Sequence, residues 1–556
     1  MTESPASATP PSDASVATTP EKTSGDRQIL FLFIGLMITM LLASLNQTVL
    51  STALPTMVGE LKGVDLMTWV IAGYLLATTI VMPIYGRIGD LFGRKPVILA
   101  AIVIFIGGSI LGALAQNIDV LIAARVIQGL GGGGLMVLSQ AAIADVVPAR
   151  DRGRYMGMIG AVFAVSSVAG PLLGGWLTEG PGWRWAFWMN IPLGIVAIAA
   201  CTVFLKLPTR THDERPPLDY LGMILLGAAT TTLVLITTWG GTTYAWGSST
   251  ILGLAAATVV LAVAFCWAET RAVHPIIPLA LFKDRNFSLA TLAALMIGIA
   301  MFGALGYMPT YIQMALGVSA TVAGLLMIPM MGGLLVASIS SGRVVSRTGR
   351  YKIFPIVGSV VIGVGLALLS TLHIESPTWL MCLYLGITGI GIGLALQILT
   401  LIVQNSFPGG RIVGTATAAT NYFRQVGSTL GASIVGAIFA SRLISRLEEK
   451  LGAMSSSGEV AEESKHLTPG MINHLPGPMR DLVIHAYNEA LLPIFLFLVP
   501  VAVIALIALL FVDERPLATR VQDDVPAESL AEGQLLESSE PPTVTAGTNA
   551  TSGSRR

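Results

Sequence analysis

The chain has 556 residues and a formal net charge of zero, with 53% hydrophobic and only 12% charged residues. A soluble domain carries about a quarter charged residues, so an ordinary water-facing surface is excluded. The even charge balance and the lack of a basic stripe argue against a nucleic-acid partner. Apolar runs of roughly 20 residues, enough to cross a hydrocarbon core about 30 Å thick, recur along most of the chain and make the lipid bilayer its expected surroundings.

Residues 1–27, rich in Ser, Pro, Thr and Ala and without an apolar signal core, read as a disordered tail. Apolar runs near 28–50, 66–85, 96–115, 119–142, 154–178 and 184–206 predict an amino-terminal six-helix bundle over 28–207. A polar linker from Pro208 to Asp219 and two spans near 219–239 and 249–269 fill residues 208–270. Spans near 287–315, 320–341, 352–372, 377–404, 411–440 and 490–512 predict a second bundle over 271–512. Its polar stretch 441–488 reads as an extracellular loop, and the polar residues 513–556 as a second disordered tail. The expected fold is an all-α polytopic membrane protein with 14 transmembrane helices arranged as 6 + 2 + 6.

Lys and Arg in short loops accumulate on the cytoplasmic side. They follow even-numbered spans here, at Arg87, Arg94, Lys95, Arg150, Arg152, Arg154, Lys206, Arg210, Arg215, Arg271, Lys283, Arg285, Arg343, Arg347, Arg350, Lys352 and Arg411, while the other side offers little beyond Lys62 and Arg184. Both termini are therefore expected in the cytoplasm. Cys201, Cys266 and Cys382 lie inside spans without CxxC spacing and read as packing residues.

Four segments carry family information. Gly86, Asp90, Gly93, Arg94 and Lys95 fall in G-x-x-x-D-x-x-G-R-K, echoed without its acid over Gly342–Tyr351. Arg125 and Gln128 stand in an R-x-x-Q-G-x-G run. Gly170, Pro171, Gly174 and Gly175 form G-P-x-x-G-G, and Trp183–Pro192 opens the sixth span with aromatic residues. Together with the two extra central spans and Phe423–Gly427, these resemble the major facilitator superfamily, specifically its fourteen-helix drug:proton antiporter branch. The resemblance covers about residues 27–515. It implies a loop after the second helix that acts as a conformational latch, with Asp90 facing a helix amino terminus of the other half near Arg411. It also implies proton or substrate coupling through the fourth helix, and an antiporter-type fifth helix packed between the halves.

Asn46 stands where that branch has an aspartate in its first helix, and an amide carries no proton. The buried charges are instead Arg125 and Arg424, which suit neutral, zwitterionic or anionic amphiphiles better than dications. Asn46, Arg125, Gln128 and Arg424 are the coupling candidates; Asp90, Asp145 and Glu179 are the alternative carboxylates, each near a membrane surface. Phe302, Tyr307, Tyr311, Met330 and Tyr422 are candidates for a cavity wall.

The run Gly129–Gly134 satisfies G-x-G-x-x-G but sits in an apolar helical span with no preceding strand, and reads as helix packing rather than a nucleotide site. His466, His474 and His485 share one polar stretch with spacing too irregular for a metal site. The resemblance implies a non-enzymatic efflux transporter in the cytoplasmic membrane, needing no cofactor or metal and using the proton gradient. It would export small amphiphilic drugs or antibiotics as a monomer. Export of one endogenous metabolite or lipid is the alternative, with nutrient symport behind it.

Overall fold

The computed structural model describes residues 25–63, 66–205, 217–241, 243–407, 412–451 and 477–517. Within them, fourteen helices are long and apolar enough to cross a membrane. These are α1 (Phe31–Glu60), α2 (Met67–Phe92), α3 (Arg94–Ala113), α4 (Ile118–Val146), α5 (Ala149–Glu179), α6 (Trp185–Phe204) and α7 (Tyr220–Trp239). They continue as α8 (Ser249–Glu269), α9 (Arg285–Leu316), α10 (Val322–Thr348), α11 (Ile353–Ser370), α12 (Thr378–Ser406), α13 (Val413–Leu447) and α14 (Arg480–Leu510). Among the described residues no strand forms beyond one isolated bridge between Gly240 and Tyr244.

Local signals start several helices. Asn117, Asp219 and Asp284 accept hydrogen bonds from Val120, Gly222 and Phe287 N–H groups at 2.9, 2.8 and 2.8 Å, satisfying donors that a helix leaves open at its first turn. Gly93 separates α2 from α3 with φ of +88°, a conformation that favours a residue without Cβ.

The packing repeats. In the first half α2 and α3 lie on α4, α1 lies on α5 and α6, and α3 on α6; in the second, α10 and α11 lie on α12, α9 on α13 and α14, and α11 on α14. Shifting every helix number by eight maps one set onto the other, and it also maps the α5–α10 contact onto the α13–α2 contact that joins the halves. α7 and α8 pack on each other, with α7 against α2. Beyond each other their main helix contacts are with α2 and, more weakly, α13, both through α7, so they sit at the periphery.

Small residues permit this closeness. The Gly129–Gly134 run lies between α2 and α3: a Cβ on Gly129 or Gly133 would meet the Tyr74 or Thr78 carbonyl at 2.5 or 2.6 Å, and one on Gly131 the Ala101 carbonyl at 2.6 Å.

Three sequence readings are corrected. The Gly86–Lys95 segment is hardly a loop: Gly86 and Asp90 belong to α2, and α3 resumes at Arg94. The polar stretch 441–488 is partly helical, because the helix from Val413 continues to Leu451 and the last one begins at Gly477. Its hidden apolar spacing explains this. Leu443 and Leu447 are buried, as are Val483, Ile484 and Tyr487, and Phe439 meets Tyr487 edge to face at 4.7 Å.

Residues Asp513–Leu517 are a fixed strap rather than the start of a free tail. Glu514 accepts the Tyr351 N–H at 2.9 Å at the start of α11, Arg515 pairs with Asp284 at 2.8 Å, and Asn286 exchanges two 2.8 Å hydrogen bonds with Asp513. Of the amino-terminal tail, Gly25–Arg27 belong to the first helix; the remaining tail readings, most of the 208–219 linker, Lys206, Arg210, Arg215, Arg411, His466 and His474 lie outside the described residues.

Candidate functional site

The halves meet along two seams at one end of the bundle. In the first, α2 crosses the start of α13. Gly86 allows the approach, since a Cβ there would meet the Gly414 carbonyl at 2.9 Å and collide with Ala418. One turn on, the Asp90 carboxylate accepts the Thr415 backbone N–H at 2.6 Å and the Thr415 hydroxyl at 2.7 Å. A carboxylate at an open helix amino terminus meets both unsatisfied N–H groups and the positive end of the helix dipole.

Arg94 compensates that buried charge. It pairs with Asp90 at 2.9 Å and binds Asp145 on α4 through Nε and, at 3.1 Å, Nη2. Asp90 and Arg94 are almost fully buried, so the Asp90–Arg94–Asp145 chain is a paired network rather than a surface ion pair. Arg152 caps the carboxyl end of α4 through the Val147 and Ala144 carbonyls at 2.8 and 2.6 Å. Lys95 stays outside the seam and donates at 2.7 Å to the Thr202 carbonyl of α6.

The second seam pairs the start of α5 with the end of α10. Cβ atoms on Gly153 and Gly157 would meet the Gly342 and Ser338 carbonyls at 2.9 and 2.6 Å. Ser346, which aligns with Asp90 in the internal repeat, accepts the Arg154 N–H at 2.9 Å and donates to the Asp151 carbonyl at 3.4 Å. Arg150 reaches the Arg347 carbonyl at 3.3 Å. The repeat thus has a charged seam and a neutral one.

Gln140 of α4 lies between the seams and ties them to the second half. Its carbonyl accepts from Gln404 at 3.3 Å and its side-chain oxygen from Asn421 at 2.9 Å. Asn421 in turn accepts from Arg424 Nη2 at 2.7 Å. The sequence singled out Arg424 but neither Gln140 nor Asn421.

Asn46, Gln128 and Arg125 come together inside the first half. Asn46 Oδ1 accepts from Asn190 at 3.0 Å and Gln128 at 3.4 Å, and Gln128 donates to Ser109 at 2.7 Å. Arg125 donates to Gln128 Oε1 at 2.8 Å and to the Val70 carbonyl at 3.3 Å, and its guanidinium lies 4.1 Å above the Tyr74 ring. All of these side chains are buried. A buried cation neutralised by dipoles and a π face rather than a carboxylate is an expensive arrangement, held by its full set of partners. Asn190, Ser109 and Tyr74 were not legible as partners, because nothing in one chain's spacing says which helices become neighbours.

The G-P-x-x-G-G motif is placed differently from its expected role. Gly170 packs on Thr48, and a Cβ on Gly174 would meet the Val49 carbonyl at 2.6 Å, both on α1 of the same half. Gly175 has nothing within 4 Å, and Pro171 is half-buried. On α5 the contact between halves belongs to Gly153 and Gly157, which no motif flagged.

Two cavity-wall candidates are absorbed into packing. The Tyr311 hydroxyl donates to Asn488 at 2.7 Å, and Tyr422 shares a 2.9 Å hydrogen bond with Thr230 of α7. Tyr307, half-buried, donates to the Ala432 carbonyl at 2.9 Å; Met330 is buried, and Phe302 is half-buried. Glu179 is exposed at the opposite end. A carboxylate that escaped notice is Glu269, buried where α8 ends and accepting the Ile276 and Ile277 N–H groups at 3.1 Å each. Among the described residues no group of three or more His, Cys, Asp or Glu side chains is placed to hold a metal ion.

Two repeated six-helix halves flanking two peripheral spans, closed on each other at one end, define a membrane transporter rather than an enzyme. The chain belongs to the Major Facilitator Superfamily, whose description matches residues 36–432. An uncharacterized MFS-type transporter of Mycobacterium tuberculosis is 41% identical over 511 residues, covering 92% of this chain and 73% of the relative. The multidrug transporter protein MdtP of Bacillus subtilis is 36% identical over 422 residues, 76% of this chain and 77% of its own. Among solved structures, the human organic anion transporter MFSD10 superposes with a TM-score of 0.58 at 14% identity, over 87% of this chain and 99% of that one. A proton:xylose symporter, XylE, gives 0.54 at 16% identity over 89% and 98%. Likeness at such identities concerns the fold alone.

Proposed function

We propose that the chain exports small amphiphilic molecules, drugs or antibiotics among them, across the cytoplasmic membrane by alternating access in exchange for protons. The basic residues of the Gly86–Lys95 end put that end and both termini in the cytoplasm under the positive-inside rule. The structure is then the state closed toward the cytoplasm. The observation that carries this reading is the grouping of the inter-half hydrogen bonds of Asp90, Gln140, Arg150 and Ser346 at one end. A closed end built from a few polar contacts over glycine seams can separate without disturbing either bundle's core. The multidrug name of a 36%-identical relative supports efflux over uptake.

The transport unit is one chain, since both halves are present in it. Protons enter through the requirement that the two conformers bind a proton and substrate with different affinity, because a ligand held equally by both shifts nothing. Asn46 carries no proton, and the carboxylates whose surroundings change when the end opens are Asp90 and Asp145.

The test is proton movement across the wall of protein-containing liposomes when amphiphiles are added. Movement that depends on substrate and is absent from protein-free liposomes is expected. Substrate flux without proton movement would remove the antiport, and no flux by folded protein would remove the efflux reading for those compounds.

A further inference from the structure

Charge inside the membrane is distributed one-sidedly. Away from their ends, the fourteen spans contain three charged residues, Arg125, Arg424 and Glu489, the last paired with Arg446 at the far end of α13. Arg125 is consumed by Gln128, Val70 and Tyr74 within the first half. Arg424 is not. Its Nη2 donates to Asn421, no other hydrogen bond of its guanidinium forms among the described residues, and the side chain is half-buried.

The position of Arg424 follows from helical spacing. Gly414, Ala418 and Asn421 form the stripe of α13 that meets α2 and α4, through Gly86 and Gln140. Arg424 stands three residues beyond Asn421, about 60° around α13 from it, just past the Asn421–Gln140 contact. It is half-buried beside the Asn421–Gln140 contact between the halves. Its nearest carboxylate along α13 is Asp90, bound at Thr415, nine residues and about 13 Å away at 1.5 Å per residue. Glu489 pairs with Arg446, farther off in the other direction. The other helices packed on α13, namely α7, α9 and α12, bring no acidic side chain to this depth.

We infer that Arg424 is the counter-ion for an anionic group, a carboxylate or sulfonate, on the amphiphiles this protein moves. The inference rests on the efflux reading and gives it a substrate class. A half-buried guanidinium with donors to spare, well inside a membrane-spanning helix, favours an anion that neutralises it and offers two acceptors, and it repels a cation. Asn421 acts as a positioning residue, fixing the guanidinium and linking it to Gln140 across the seam.

The test uses the full chain in proteoliposomes and two permanently charged probes with one ring system, naphthalene-2-sulfonate and 2-naphthyl-trimethylammonium. Wild type is expected to move the sulfonate about tenfold faster or more. Arg424→Gln should abolish the preference, Arg424→Lys keep part of it, and Arg424→Glu reverse it toward the ammonium. Size-exclusion and thermal unfolding profiles verify that each variant is folded, and Arg424→Lys keeps the test available if Arg424→Gln or Arg424→Glu does not fold. Wild type that moves the ammonium as fast as the sulfonate, or a folded Arg424→Glu with unchanged preference, would overturn the inference while leaving efflux standing. Movement of neither probe by folded wild type would count against the efflux reading as well.

Discussion

Asp90 and Thr415 come from different halves of the chain and share two short hydrogen bonds, 2.6 Å from the Thr415 amide and 2.7 Å from its hydroxyl. Both end on Asp90 Oδ2, leaving Oδ1 for Arg94. The closed end therefore depends on one carboxylate serving two halves at once.

Replacing Asp90 by Ala removes both bonds and leaves Arg94 balanced only by Asp145. Hydrogen bonds to charged groups contribute about 1.5–3 kcal/mol each, so losing two should lower the closed-to-open equilibrium constant by roughly 100-fold or more. Alkylation of a cysteine at Thr417, which is buried on α13, should accelerate by a similar factor in a background lacking Cys201, Cys266 and Cys382. An unchanged alkylation rate would show that Asp90 does not hold the seam.

Glycines of α5 should sort by the surface they face. Gly157→Val drives a side chain into the Ser338 carbonyl of the opposite half and should impair transport with little change in thermal stability. Gly174→Val meets α1 of its own half and should destabilise the bundle by about 1–3 kcal/mol. Gly175→Ala, facing open space, should stay within about 0.5 kcal/mol of wild type. Thermal unfolding and flux on the same three proteins check the ordering.

Asn46 accepts from two buried amides, so Asn46→Leu removes one acceptor from each of Asn190 and Gln128, leaving both to share Ser109. The expected loss is about 1–3 kcal/mol, read as a lower Tm. Asn46→Asp keeps both acceptor contacts beside Arg125 and should retain most of that stability at neutral pH. Equal Tm losses for the two variants would contradict this account of the cluster.

The strap beyond α14 is open to a simple test. Glu514→Ala removes the acceptor for the first N–H groups of α11, Tyr351 at 2.9 Å and Lys352 at 3.4 Å, and should cost about 1 kcal/mol in thermal unfolding, as for loss of a helix cap.

The number of spans was legible because apolar length against bilayer thickness is a property of the sequence alone. The Asp90 segment was legible because its residue types and spacing are specific, although its partner proved to be Thr415, four residues beyond the anticipated Arg411. Partners of α5 were not legible. Gly157 and Gly174 are seventeen residues apart, which at about 100° per residue places them some 100° apart around the helix, one toward α10 and the other toward α1. A glycine motif marks a close contact without saying with what. Asp513–Leu517 looked like a free tail because polar composition does not reveal that Glu514 and Arg515 find fixed partners in Tyr351 and Asp284.

Alternating access requires the Asp90 end to open in every cycle, and Arg150 and Arg347 flank it at exposed positions on opposite halves. With cysteines at both positions and the three native cysteines replaced, a short reversible thiol cross-linker should abolish amphiphile flux in proteoliposomes, and reductant should restore it. Flux at the unlinked rate in fully cross-linked protein would contradict transport through opening of this end.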